Sequence, residues 1–138
     1  MKKEKHISAL IKLLKDIRKE PSPATVGFIY STALVHMFNI TFHDEIDPSF
    51  HIKHQQFRTK EGISKLKSMI HEFKEKDDLF EIWREMENER NKLCYGNPSQ
   101  EDTASYLNKF FKIKTILEKI SKIKFEIEEL EKLLPENE

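Results

Sequence analysis

Three polar side chains near the end of one predicted helix are the best candidates for holding a phosphate group. They are Arg90, Asn91 and Tyr95, and the tyrosine follows the arginine by about one and a half helical turns. A guanidinium group can grip a phosphate through two parallel hydrogen bonds, and a phenol can donate a third. This spacing predicts a ligand-binding or catalytic group. Taken alone, the residues favour another interpretation, in which Arg90 pairs with Glu87 or Glu89 and Tyr95 closes the bundle end.

Histidines form a second group of candidate residues. Five of the six fall in one stretch that also holds Asp44, Glu45 and Asp47, and they are His36, His43, His51, His54 and His71. His51 and His54 are three residues apart, so on a helix they would share a face and could bind one metal ion. No HExxH or Glu-x-x-His pair accompanies them. Scattered surface histidines explain the pattern equally well, and we expect neither a metal nor another cofactor.

The single cysteine and the three glycines exclude several kinds of chemistry. Cys94 lies at an apolar position of a predicted helix, and no histidine follows His71 to act as its base, so we expect a core cysteine. One cysteine cannot form an intrachain disulfide, which fits a reducing compartment. Three separated glycines cannot form a glycine-rich phosphate loop.

Composition indicates one all-α domain spanning residues 1–138. The chain has 24 basic and 24 acidic side chains, so no overall basic field draws it to nucleic acid or membrane. Charged residues make up 35% and hydrophobic residues 38%, with only three glycines, as in amphipathic helices. Neither a signal peptide nor about 18 uninterrupted apolar residues is present. We therefore expect a cytoplasmic protein that does not enter the membrane.

The first half of the chain has the pattern of three helices. Apolar residues at helical spacing mark the first over 7–17, and it should stop at the segment from Pro21 to Pro23. Ser22 is a candidate N-cap for the second helix, which runs to about residue 40 and carries the fewest charges. A turn containing Pro48 follows over 44–49, and a third helix is predicted over 50–73, with its start near His51.

The second half predicts two more helices. The fourth covers 79–94 and ends at Gly96. Ser99 with Asp102 predicts the N-cap of the fifth, which contains no glycine or proline before Pro135. Together, the predicted helices indicate an up-and-down bundle of four to five helices with a long C-terminal helix.

The last predicted helix carries a heptad pattern. Its a and d positions are occupied by Ile113, Ile116, Ile120, Ile123, Ile127, Leu130 and Leu134. Such a seam packs on a partner helix, either inside the same chain or in a second subunit. Residues 113–134 are therefore an expected interface, and their end can project from the bundle.

This layout resembles the HEPN family, the higher eukaryote and prokaryote nucleotide-binding domains. The resemblance rests on Arg90-Asn91 at the end of the fourth helix, on the buried second helix and on the long closing helix. It implies a homodimeric helical bundle that binds RNA or a nucleotide without metal. It also implies a place in a toxin–antitoxin or defence pair, with a nucleotidyltransferase-like antitoxin as partner protein.

The chain departs from the family pattern at one position. Family endoribonucleases carry a histidine four to six residues after the arginine, where this chain has Tyr95. Because an ordinary phenol ionises only near pH 10, it is a poor general base at neutral pH. We therefore expect binding through Arg90, Asn91 and Tyr95 rather than metal-independent cleavage. The alternative is an interaction module that assembles through the heptads and has no ligand.

Overall fold

A computed structural model describes residues 2–17, 22–47, 49–50 and 52–135, and this part of the chain contains helices and turns but no strand. The elements are α1 (Lys3–Ile17), α2 (Pro23–Thr25), a π-helical segment (Val26–Tyr30), α3 (Ser31–Thr41), a 3₁₀ turn (His54–Phe57), α4 (Lys60–Met69), α5 (Lys76–Tyr95), α6 (Gln100–Ser121) and α7 (Ile127–Glu131). The predicted all-α bundle is confirmed. No helix within these ranges is both long and apolar enough to cross a membrane.

The predicted second helix is the centre of the bundle, as expected. α2, the π-helical segment and α3 follow one another without leaving the helical region, and α3 packs against both α1 and α6. Ala33, Leu34, Met37 and Phe38 are fully buried there. This helix therefore buries apolar surface on most of its sides, and it can do so because it carries few charges.

An aromatic cluster joins α5 to the segment before α4. Trp83 stacks on Phe57 with ring centres 3.8 Å apart, and Phe38 meets both rings edge-on. Aromatic pairs add attraction beyond the apolar area that they bury. The cluster fixes the height and rotation of α5 relative to the 3₁₀ turn, and so positions the side chains on both elements.

Two predicted N-caps are confirmed. The Ser22 hydroxyl accepts a hydrogen bond from the Thr25 N–H at 3.2 Å. Ser99 and Asp102 form a reciprocal capping box at the start of α6, with N···O distances of 2.8 and 3.1 Å. The predicted stop at Pro21, the turn at Pro48 and the start near His51 involve residues outside the described ranges.

The predicted third helix is shorter than expected. It begins at Lys60 with Thr59 as its N-cap and ends at Met69, while residues 54–57 form a separate 3₁₀ turn. Gly62 permits this fold-back, because a Cβ atom there would lie 2.2 Å from the carbonyl oxygen of Gln56. The glycine thus marks a close backbone approach rather than a tolerated defect in one long helix.

The C-terminal helix is long but ends earlier than the absence of glycine and proline suggested. α6 stops at Ser121, and Lys122 adopts the left-handed conformation with φ 61°. The Glu118 carboxylate then accepts a hydrogen bond from the Phe125 N–H at 2.8 Å, which stabilises the turn. α7 packs against α1 instead of projecting as the continuation of α6.

The heptad residues therefore do not form one continuous seam. Ile113, Ile127 and Leu130 are buried in the core of this chain, whereas Ile116, Ile120 and Ile123 are half-buried against it. Leu134 is also half-buried. The intrachain interpretation accounts for the buried positions, because their apolar surface is already covered.

Candidate functional site

Arg90 is held against the π-helical segment by its own side-chain hydrogen bonds. It is 6% exposed, and its Nε donates to the Gly27 carbonyl at 3.2 Å and to the Ser31 hydroxyl at 3.1 Å. Its guanidinium carbon lies 5.1 Å from the centre of the Phe28 ring, which is the geometry of a cation–π contact. These contacts fix the direction in which the guanidinium plane points.

Gly27 makes this arrangement possible. A Cβ atom at position 27 would lie 2.5 Å from the Cys94 sulfur, so a larger residue would have to displace the Cys94 side chain, and glycine allows the close packing of the π-helical segment on α5. The close packing brings the Gly27 carbonyl within reach of Arg90 Nε. π-helical segments occur frequently at functional sites because they displace individual carbonyl groups from the regular helix.

The two terminal nitrogens of Arg90 are not used by the described part of the chain. The hydrogen bonds of its side chain there are both made by Nε. A second guanidinium group belongs to Arg58, whose Nη2 donates to Asn91 Oδ1 at 3.0 Å. Burial and the two positive charges lower the pKa of His54. The positive charges of both arginines therefore influence the same histidine, so the two guanidinium groups lie in one region of the structure.

Glu87 is a buried carboxyl group beneath the two arginines. It is 1% exposed, and neither of its oxygens has a hydrogen bond of normal geometry to a described residue. Burial raises the pKa of Glu87 to about 7, and the charges of Arg90 and Arg58 oppose this increase. A carboxyl group with this pKa is about half protonated at neutral pH.

The ion pairs of the competing interpretation do not form. Among the described residues Arg90 forms no salt bridge with Glu87, and the two carboxylate oxygens of Glu87 accept no hydrogen bond of normal geometry, although the charge of Arg90 acts on this carboxyl group. Glu89 accepts instead from Lys109 at 2.8 Å and from Ser105 at 3.1 Å. Arg90 is therefore positioned by uncharged oxygens, which leaves its charge uncompensated by any direct carboxylate contact in the described ranges.

Tyr95 lies at the open edge of this group and not at a closed bundle end. It is 73% exposed, and its ring meets that of Phe28 edge-on with centres 5.8 Å apart. Phe28 is itself 40% exposed. The structure thus places Arg90 and Tyr95 on the same phenylalanine, with two accessible aromatic surfaces beside the guanidinium group.

Several residues of this site were not predicted from the sequence. Arg58 and Ser31 come from distant parts of the chain, and nothing in their local sequence connects them with Arg90. Phe28 falls outside the apolar face traced by Val26, Ile29 and Tyr30. One exposed apolar side chain alone does not indicate a contact surface, but Phe28 forms an exposed aromatic pair with Tyr95 in the structure.

Histidines line a cavity between α1, α3 and the segment that follows, and His54 lies both in its wall and within the influence of the two arginine charges. Its volume is about 390 Å³, and His6, His36, His43 and His54 contribute to its walls. The Nδ1 atoms of His6 and His36 are 2.9 Å apart, and burial lowers the pKa of His36. His51 lies outside the described residues. Within the described ranges no three His, Cys, Asp or Glu side chains are grouped to hold a metal ion.

Cys94 is half-buried rather than part of the core. Its sulfur lies against Gly27, and burial raises the pKa of the thiol. A raised pKa reduces the fraction of the nucleophilic thiolate at neutral pH. The cysteine therefore serves as a packing contact between α5 and the π-helical segment.

Comparison of the chain with protein-family models, with curated proteins and with solved structures gave no match.

Proposed function

We propose that this protein binds RNA or a nucleotide, with Arg90 and Arg58 holding phosphate and the Phe28–Tyr95 pair contacting a base. One observation carries the proposal. Arg90 hydrogen-bonds to described residues through Nε, which leaves its two terminal nitrogens without such a partner, and its small exposed surface lies beside two exposed aromatic rings. The HEPN-like position of Arg90-Asn91 supports the same ligand class.

The chemistry of the site suits a phosphodiester better than a simple anion. A guanidinium group offers two parallel N–H donors to a phosphate, and aromatic faces stack on bases at about 1–3 kcal/mol per base. Asn91 accepts from Arg58 and thereby orients the second guanidinium group. The formal charge of the whole chain is zero, so attraction to RNA would come from this local pair of cations.

Binding is favoured over cleavage because the polar side chain at the exposed edge is a phenol, which is a poor general base at neutral pH. Tyr95 occupies the position where family endoribonucleases have histidine. Glu87 has a pKa of about 7 but lies 1% exposed in the interior. The wider setting that we propose is a cytoplasmic homodimer in a toxin–antitoxin or defence pair, whose partner protein would be a nucleotidyltransferase-like antitoxin.

The test uses a labelled single-stranded RNA of mixed sequence, with chelator present, over a range of salt concentrations. We expect Arg90→Ala to weaken binding about tenfold or more, because the anchored donor is lost. Tyr95→Phe keeps the aromatic face and should bind within about twofold of wild type, whereas Tyr95→Ala should weaken binding about fivefold. Arg84→Ala removes the same residue type from another turn of α5 and is the matched control.

The possible outcomes separate three functions. Binding without cleavage supports the proposal. Chelator-resistant cleavage that is lost in Arg90→Ala would establish an endoribonuclease. An absence of both activities at every salt concentration would overturn the proposal and favour the interaction module. Arg90→Lys and thermal unfolding of each variant distinguish loss of the contact from loss of the fold.

A further inference from the structure

A second surface of the molecule lies between α5 and α6, away from the arginine site. It is an open groove of about 620 Å³ whose apolar floor includes Ile82, Phe111 and Ile116. Phe111 is 53% exposed, which is unusual for a phenylalanine in the middle of a 22-residue helix. One wall carries four carboxyl groups, those of Glu75, Asp78, Glu81 and Glu85. We call this surface the acidic groove.

The carboxyl groups of the acidic groove are largely uncompensated. Glu75 accepts from Lys119 at 3.0 Å. Asp78, Glu81 and Glu85 make no ion pair with any residue in the described ranges. They are spaced three and four residues apart along α5, so they form one row on one face of that helix. Lys112 is the cation among the lining residues.

The row of charges and the apolar floor together specify the chemistry of a partner. Carboxylates repel the phosphates of RNA, so the acidic groove does not extend the proposed nucleic-acid site. A helix with basic residues on one side and apolar residues on the next would meet both features, because its side chains recur every three to four residues. Asp78, Glu81 and Glu85 recur along α5 at this same spacing of three to four residues.

We propose that the acidic groove binds a basic amphipathic helix of a partner protein, whose apolar side covers Phe111 and whose lysines or arginines face Asp78, Glu81 and Glu85. The helix lies between α5 and α6 as a third neighbour in the bundle. This interaction is independent of the RNA-binding proposal, since none of its residues belongs to the arginine site.

The experiment measures binding of a fluorescent synthetic peptide to the full chain. The probe is an 18-residue helix-forming peptide with leucines at i, i+3, i+4 and i+7 and lysines beside them. Its controls are a peptide of the same composition in scrambled order and a peptide with glutamate in place of lysine. Chemical shifts of backbone amides, recorded with ¹⁵N-labelled protein, locate the peptide on the surface.

We expect the basic amphipathic peptide to shift amides of α5 and α6 around the acidic groove. Glu81→Lys combined with Glu85→Lys should weaken its binding about tenfold or more, and Phe111→Ser should weaken it by a similar factor. Glu61→Lys, a charge reversal at an exposed position of α4, should leave binding within about twofold of wild type. RNA binding should be unchanged in Phe111→Ser, which leaves the charge of the protein as it is.

Four results of the peptide experiment would overturn the inference. They are no binding of the basic peptide, equal binding of the scrambled or glutamate peptide, full binding to the charge-reversed variant, and amide shifts outside the acidic groove. A dimer of the free protein that dissociates in Phe111→Ser would also overturn it, because a second copy of this chain would then occupy the groove.

Discussion

Helix α5 carries two regions of opposite charge, and they differ in how those charges are held. Near its end, Arg90 is buried and fixed by Gly27 and Ser31. Nearer its start, Asp78 and Glu81 are exposed along an open groove. A formal charge of zero therefore describes the sum of two separated regions and says little about either of them.

Burial should determine how strongly each region responds to change. A desolvated, oriented guanidinium group interacts strongly with a phosphate, because little water screens it and little entropy is lost on binding. Exposed carboxylates each contribute little and are screened by salt. Removal of Arg90 should consequently have a large effect, whereas removal of single carboxylates from the acidic groove should have small, additive effects.

The largest expected effect comes from removing the support that both regions share. Trp83 is fully buried and stacks on Phe57, so Trp83→Ala should reduce the free energy of unfolding by about 3–5 kcal/mol. Urea denaturation measures this change. Phe111→Ala removes an exposed aromatic ring from the neighbouring helix and is the control. A loss below about 1 kcal/mol in Trp83→Ala would contradict the packing described here.

The next effect concerns the carboxyl group beneath the arginines. Folding raises the pKa of Glu87 from an ordinary 4.5 to about 7, so the folded protein binds this proton more tightly than the unfolded chain. The resulting stabilisation is complete below about pH 4.5 and is lost as the pH rises through about 7. Glu87→Gln should be more stable than wild type at pH 8, by about 1–3 kcal/mol.

Urea denaturation at pH 5 and pH 8 tests this prediction. The wild type should lose stability between the two values relative to Glu87→Gln, and Glu85→Gln controls for the loss of one carboxyl group. Destabilisation of Glu87→Gln at pH 8 would show instead that an ionised Glu87 is held by Arg90 and Arg58.

A smaller effect is expected from the second arginine. Arg58 is half-buried, and one of its N–H groups already donates a hydrogen bond to Asn91. Arg58→Ala should weaken RNA binding about three- to tenfold and reduce the slope of log affinity against log salt by about one. Fluorescence anisotropy at several salt concentrations gives both numbers. An unchanged slope would show that Arg58 does not contact phosphate.

The smallest effect is predicted for Asn91, whose amide oxygen orients Arg58. Asn91→Ala should weaken RNA binding only about two- to threefold, because the guanidinium charge remains and only its orientation is loosened. The same anisotropy titration measures it. A loss larger than that of Arg58→Ala would mean that Asn91 contacts the ligand directly.

The helices were predictable where local chemistry determines them. The caps at Ser22 and Ser99 and the buried centre of the bundle follow from side-chain hydrogen bonding and from apolar spacing. The position at which α6 ends does not follow from these local rules. Lys122 takes a left-handed conformation without glycine because Phe125 and α7 pack back onto the bundle, and that contact is not visible in a heptad pattern.

The candidate site was predictable only along one helix. Arg90, Asn91 and Tyr95 are close in sequence, and the bundle layout identified them. Arg58 and Ser31 reach the site through tertiary packing, which no local pattern encodes. The proposed acidic groove likewise joins two helices, and its apolar floor belongs to neither helix alone.

The most direct test of the arginine site follows the side-chain Nε–H signals of arginine in ¹⁵N-labelled protein during addition of a 5′-phosphorylated RNA dinucleotide. The signal of Arg90, assigned with Arg90→Lys, should shift in a saturable manner together with that of Arg58, while the signal of Arg84 stays unchanged. Saturable binding that leaves the Arg90 and Arg58 signals in place, or no binding at low salt, would contradict the proposed function.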